Sequence, residues 1–265
     1  MDLCKVQGES SLDMTTHMEV DISSRPEGSA NKLSSKVVRR IFSFLNGKDL
    51  AKSRLVSRKW NEVACDDSLW KKLCIKKWRS LETDQALWKL IFSDVPCESP
   101  TKWRQVYPSV MSRTRWTCKL MKTERFLCNV TVHQLWGTPL GQDGLPSTIV
   151  VERRFNLLHL KTFILPQASI LYLEPLEDKD KQGYTDFIDY MVQRNRAGLG
   201  LEELKRFIFV PPGEYTREYL GYDGPSLIGV IQTTYPPLDG PSPIGAVQRT
   251  YPPLKPTSSR KSRLE

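Results

Sequence analysis

Between Leu33 and Trp78 apolar residues recur at helical intervals. Val37, Ile41, Phe42 and Leu45 stand at i, i+4, i+5 and i+8, which reads as one face of a helix. Ser34 or Ser35 suits its N-cap, and Asn46-Gly47 its stop. Asp49 opens a second helix carrying Leu50, Leu55, Val56 and Trp60. Asp67 or Ser68 opens a third with Leu69, Trp70, Leu73 and Ile75. Lys and Arg fill the other faces. Three short helices this rich in Leu and Trp do not cover their apolar surface alone, so a helical partner is expected.

Residues 79–115 carry two further helical patterns, one at Leu87, Trp88, Leu90 and Ile91 and one around Trp103 and Val106. Pro96, Pro100 and Pro108 are expected to keep both short. Trp78, Trp88, Trp103 and Tyr107 predict a semi-rigid helical connector, since a floppy linker has no use for such side chains. Beyond Trp116 the period changes. WTCKLM, FLCNVTVHQL, STIVVERRF and ASILYLEPL are β-rich runs separated by Gly, Pro and Asp clusters. Asp186 reads as the start of a helix, DFIDYMVQRNRAG, with Phe187, Ile188, Met191 and Val192 on one side and Gly198 at its end. RFIFVPP, GEYTREYLG and LIGVI then read as strand, short helix and closing strand. The order predicts an α+β architecture: helices first, then a β-barrel-like domain with helices of its own.

The 265 residues leave room for one large domain or two small ones, and 39% hydrophobic content suffices for a core. No run approaches the roughly 18 apolar residues of a membrane span, and MDLCKVQGESSLD lacks the apolar centre of a secretory signal. No membrane partner is expected. Six cysteines (Cys4, Cys65, Cys74, Cys97, Cys118, Cys128) without a C-x-x-C pair predict free thiols in a reducing compartment, with no metal site.

The net charge of +9 is uneven, because residues 31–115 alone hold 19 basic and eight acidic side chains. Those bases are spread around all three expected helices, so nucleic acid is not the expected partner. Residues 1–30 lack periodicity and are expected to be disordered, as is a Pro-rich, basic end over 236–265. That end belongs to an internal repeat: GPSLIGVIQTTYPPL (224–238) recurs as GPSPIGAVQRTYPPL (240–254), identical at 11 of 15 positions. The first copy has the β-branched run of a strand; Pro243 makes the second a poorer one. The TYPPL segments favour polyproline II geometry and suit docking peptides, although tandem duplication of a chain end is the simpler reading.

No catalytic constellation emerges. His17, His133 and His159 are scattered, and Cys128 and His133 are expected on opposite faces of one strand. No phosphate-cradling glycine loop, HExxH or GxSxG occurs, and no cofactor is implied.

LSSKVVRRIFSFLNGKDLAKSRLVSRKWNEVACDDSLWKKLC, within residues 31–78, closely resembles an F-box. The Ile-Phe-Ser-x-Leu helix, Asp-Leu, Val-Ser-x-x-Trp and closing Leu-Trp stand at the family's spacing, and Ser34 replaces the usual proline. The resemblance implies docking to a Skp adaptor, and through it to a cullin-RING ubiquitin ligase, by hydrophobic contact. Leu33, Ile41, Leu45, Leu50 and Val56 are the expected anchors; Trp60, Leu69 and Trp70 are expected to hold the module together.

Residues 116–235 resemble a SPOC domain, on Trp116 with Phe126, Leu145-Pro146 followed by IVVERRF, SILYLEP, YMVQRNRAG, FIFVPP with EYL, and LIGVI. The resemblance implies a basic patch that grips phosphoserine peptides through Arg153 or its neighbour Arg154, Tyr190 and Arg194. Tyr190 and Arg194 also share a helix face by spacing. Phe155 stands where some relatives carry a second Arg. The simpler alternative is that these arginines are solvated or pair with Glu174, Asp186 or Asp189.

The combined expectation is a non-catalytic F-box subunit that brings phosphorylated, transcription-related cargo to a ubiquitin ligase, in the nucleus or cytoplasm with the nucleus favoured. The alternative is a transcription or chromatin regulator with no ligase role.

Overall fold

The Ser34 hydroxyl accepts the Val37 N–H at 3.4 Å and starts helix α1 (Ser35–Phe42). The computed structural model to which this helix belongs describes residues 33–202 and 205–233. The expectations for residues 1–30 and for the segment beyond 233 lie outside that range. The chain divides after Arg113 into two units.

In the first unit, α1 buries Val38 and Phe42 and leaves Val37 and Ile41 exposed. Asn46, expected as the stop of α1, instead caps α2 (Gly47–Ser53) by accepting the Asp49 N–H at 3.0 Å. The expected second helix is divided in two. Ser57 accepts the Trp60 N–H at 3.2 Å and begins α3 (Arg58–Ala64), leaving Leu55 and Val56 in the turn between. A serine hydroxyl competes for backbone donors in this way, so the helical spacing on either side does not carry through it. Asp66 then caps α4 (Asp67–Lys77), whose Leu69 and Trp70 are buried as expected. Trp60 meets Phe42 edge-on at 5.1 Å, and the Trp70 indole donates to Ala64 O at 2.8 Å.

Residues 79–112 hold two helices, α5 (Gln85–Ile91) and α6 (Lys102–Ser112), of which α6 packs against α4 and α5 against the turn at 79–82. Pro108 does not shorten α6; the helix runs through it with Trp103, Val106 and Val110 buried. The first turn of α6 has no side-chain cap of its own. The Asp67 carboxylate, from α4, accepts the N–H groups of Trp103 and Arg104 at 3.2 and 2.9 Å. A carboxylate at a helix N-terminus satisfies orphan donors and complements the positive end of the helix dipole. Trp70 against Tyr107 (4.9 Å) and Trp88 against Trp103 (5.0 Å) complete the aromatic core.

The second unit is an eight-stranded sheet: β1 (Arg115–Lys122), β2 (Arg125–Trp136), β3 (Thr148–Val151), β4 (Arg153–Asn156), β5 (Ser169–Pro175), β6 (Arg196–Glu202), β7 (Lys205–Val210) and β8 (Ile228–Thr233). Their spatial order is β3-β1-β2-β5-β8-β7-β6-β4. β3 pairs with β1 at one end of that order and β4 with β6 at the other, and only Glu152, which donates to Leu199 O at 2.9 Å, separates β3 from β4. The sheet is therefore a nearly closed barrel, which leaves little exposed edge.

Helix α8 (Lys181–Gln193) buries Tyr184, Phe187, Ile188 and Met191 in the core with Val130, Val132, Leu171, Leu173 and Phe209. It begins five residues before Asp186. Gly183 lies inside it because a Cβ there would strike the Leu127 carbonyl. Gly198, expected at the helix end, belongs to β6 instead. Asn195, at φ 52°, makes the turn between them, a conformation that asparagine tolerates. Short helices α7 (Leu160–Phe163) and α9 (Glu214–Leu220) complete the unit. Ile149, Phe207 and Val230 are among the residues that line a void of about 10 Å³ in the barrel. That is at the lower limit for one water. No helix among the described residues is long and apolar enough to cross a membrane.

Candidate functional site

Tyr190 stands in the last turn of α8, half-buried against the barrel core. Three cations surround its ring: Lys122 Nζ at 4.1 Å from the centroid, Arg194 Cζ at 4.4 Å and Arg154 Cζ at 5.4 Å. Each comes from a different place in the chain. Arg194 is the C-terminal cap of α8, one turn beyond Tyr190. Arg154 lies on β4 opposite Gly198 of β6. Lys122 ends β1 and pairs in register with Arg125, the first residue of β2, across a turn in which Thr123 has φ 55°.

Cation–π attraction favours these placements, but the cations also repel one another. Partial burial, then Arg154, Arg125 and Arg194, holds the Lys122 ammonium below the usual lysine range. Among the described residues no carboxylate forms an ion pair with the cluster. Glu174 is buried at 3.0 Å from His133, and Asp186 accepts from Gln182 at 2.7 Å. Among the described residues no acid lies within ion-pair distance of Lys122, Arg125, Arg153, Arg154 or Arg194. Such a site stabilises an arriving anion: guanidinium forks match phosphate oxygens, and a phosphate adds nearly two charges.

Of the expected residues, the structure brings together Arg154, Tyr190 and Arg194. Arg153 is exposed but makes no contact with the ring, as expected for neighbouring side chains on a strand. Phe155 stacks on Phe163 of α7 with centroids 4.7 Å apart. Lys122 and Arg125 are the members that sequence reasoning missed. Their signal was the KTER hairpin turn, but only the strand register sets it beside α8.

A family model for F-box-like segments matches residues 35–76, and one for the SPOC domain matches residues 111–233. The chain carries an F-box-like segment and a SPOC domain. The crystal structure of the SPOC domain of human PHD-finger protein 3 is similar at 18% identity, covering 46% of this chain and 97% of that one, with a TM-score of 0.39. No curated protein matches the chain.

The F-box-like segment displays its own surface. Leu33 is exposed just before α1 and Val37 and Ile41 along it, Phe44 follows at 75% exposure, and Leu55 and Val56 stand out at 87% and 60% between α2 and α3. Arg40 lies over Phe44 at 5.2 Å. Among the five expected anchors, Leu33, Ile41 and Val56 are on this surface and Leu45 is half-buried. Leu50 is fully buried, so it is a core residue and not a docking contact. The Asn46 cap sets the direction of α2 and turns Leu50 inward. Val37, Phe44 and Leu55 were missed. The doublets Val37-Val38 and Ile41-Phe42 each place one residue on the core stripe and one on the outer stripe, and spacing alone does not say which is which.

Proposed function

We propose that the chain is a non-catalytic adaptor subunit of a cullin-RING ubiquitin ligase. The F-box-like segment binds a Skp adaptor through Leu33, Val37, Ile41, Phe44, Leu55 and Val56, and the SPOC domain binds phosphoserine-containing cargo through Lys122, Arg154 and Arg194 around Tyr190. What carries the reading is the cation cluster with no ion-paired carboxylate among the described residues, on the same chain as an F-box-like surface of exposed apolar side chains. Exposed Phe, Leu, Ile and Val need a partner, and helix-in-groove docking suits them. Lys36, Arg40, Lys48, Lys52 and Arg54 stand among them, so the chemistry that fits is an apolar groove with an acidic rim.

The test is co-expression of the full chain with a Skp adaptor, followed by size-exclusion chromatography of wild type and Ile41→Lys. The reading expects a complex that survives high salt and is lost in the variant. A chain that binds phosphopeptides but forms no adaptor complex would leave the SPOC reading in place and remove the ligase role. The transcription-related class of the cargo and a nuclear location belong to the same proposal; nuclear enrichment of the tagged chain tests the latter.

A further inference from the structure

Strand β8 lies between β5 and β7 and comes from the first copy of the internal repeat. Several positions of that copy have a clear task. Gly224 lies where a Cβ would strike the Tyr222 ring. Ser226 meets Tyr172 Oη at 2.7 Å, and its N–H donates to Tyr222 Oη at 3.0 Å. Ile228 is fully buried and pairs with Tyr172 on one side and Val210 on the other. At Gly229 a Cβ would come within 2.9 Å of Leu173 Cδ1. Gln232 donates to Phe163 O at 2.6 Å and accepts the Leu165 N–H at 2.9 Å, fastening the strand to the segment after α7.

Every one of these residues recurs sixteen positions later, as Gly240, Ser242, Ile244, Gly245 and Gln248. The four differences fall on other tasks. Leu227 becomes Pro243, which loses the N–H that Leu227 donates to Tyr184 Oη at 2.8 Å. The carbonyl that accepts the Leu173 N–H at 3.1 Å is kept by a proline. Val230 becomes Ala246 and Ile231 becomes Val247, changes that lose methyl groups but add no bulk. The exposed Thr233 becomes Arg249, at a position open to solvent.

We propose that the slot between β5 and β7 is a binding site for a Gly-Pro-Ser-x-Ile-Gly-x-x-Gln strand, and that residues 240–249 are a second, weaker ligand for it in the same chain. The second copy keeps the residue types that make the side-chain hydrogen bonds in the first and the small residues that the slot demands, and gives up only packing volume and one backbone donor. Its use requires only that residues 224–239 loop out after Asp223, and loop-closure entropy rises slowly with length. The first copy fills the slot because it packs better; the second is held in reserve if the first is lost or engaged elsewhere. Whichever copy is bound, a TYPPL segment follows the strand at the same offset.

Hydrogen exchange of the full chain, read on peptides from β5 and β7, tests this. Deletion of 240–254 should leave protection as in wild type. Deletion of 224–239 should keep both strands protected, with exchange faster by about tenfold or more, because lost methyl groups raise the opening equilibrium. Deletion of 224–254 should abolish protection. Within the 224–239 deletion, P243L with A246V should recover most of the loss, whereas G245V should remove protection, since its side chain meets Leu173. The proposal is overturned if the 224–239 deletion exchanges as fast as the 224–254 deletion. It is equally overturned if protection persists in the G245V variant, because the slot would then not be reading this strand.

Discussion

Replacing Arg154 and Arg194 together by glutamine removes two of the three cations around Tyr190 while keeping side-chain length. Both guanidinia are exposed, so neither is a core group whose loss unfolds the barrel. A hydrogen bond to a charged group is worth about 1.5–3 kcal/mol net, and solvent exposure argues for the lower end here. At about 1.4 kcal/mol per tenfold, each arginine accounts for roughly tenfold in affinity and the pair for roughly a hundredfold. Fluorescence anisotropy with a serine phosphopeptide and its unphosphorylated counterpart measures this directly. The phosphopeptide should lose about two orders of magnitude and the unphosphorylated peptide almost nothing, since the arginines act on the phosphate. Arg153→Gln should cost far less than Arg154→Gln, because only Arg154 lies over the ring. Equal losses for both peptides, or binding within about twofold of wild type in the double variant, would refute the phosphate assignment.

Four further outcomes follow from the same geometry. Lys122 is held below the usual lysine range, so its proton is lost earlier in the folded protein than in the unfolded chain as pH rises; phosphopeptide affinity should fall in that alkaline window while the Lys122 contribution to stability rises, a pair of opposite slopes that titration and thermal melts read, and Lys122→Gln should flatten both. Leu50→Ala should destabilise the first unit by about 2–5 kcal/mol in denaturant melts, whereas Ile41→Lys should leave the melt nearly unchanged and abolish adaptor binding. Asp67→Ala removes the acceptor for two N–H groups of α6 and should cost about 1–2 kcal/mol, with the fastest new exchange at Trp103 and Arg104. Burial pushes the Cys74, Cys118 and Cys128 thiols up to about 12, so mass spectrometry after brief alkylation at mildly alkaline pH should find Cys65 and Cys97 modified well before these three.

Much of the second unit was legible because strand alternation, Gly and Pro punctuation and a single amphipathic helix mark local structure directly. The helix start was misplaced because Asp186 suits a helix opening, while the helix in fact admits Gly183 at a close approach to Leu127 that no local signal reveals. Likewise Pro108 reads as a stop, whereas α6 runs through it with Trp103, Val106 and Val110 buried, and such packing between distant residues leaves no local signal. Tyr190 and Arg194 were legible as a helical i, i+4 pair, and Arg154 from its strand only as one of two neighbours. Lys122 completes the cluster through barrel closure and hairpin register, which depend on pairings between distant residues. The docking surface was half legible for a different reason: the doublets on α1 supply two apolar stripes, and the choice between them belongs to the packing of Val38 and Phe42 against the rest of the unit.

In the proposed role, one chain holds an adaptor and a phosphorylated ligand at once. Size-exclusion chromatography with light scattering on the full chain, a Skp adaptor and a fluorescent serine phosphopeptide tests it most directly. The account predicts one peak containing all three, with the fluorescence lost in the Arg154→Gln, Arg194→Gln variant and the adaptor lost in Ile41→Lys. A chain that elutes without the adaptor, or an adaptor complex that carries the unphosphorylated peptide equally well, would contradict it.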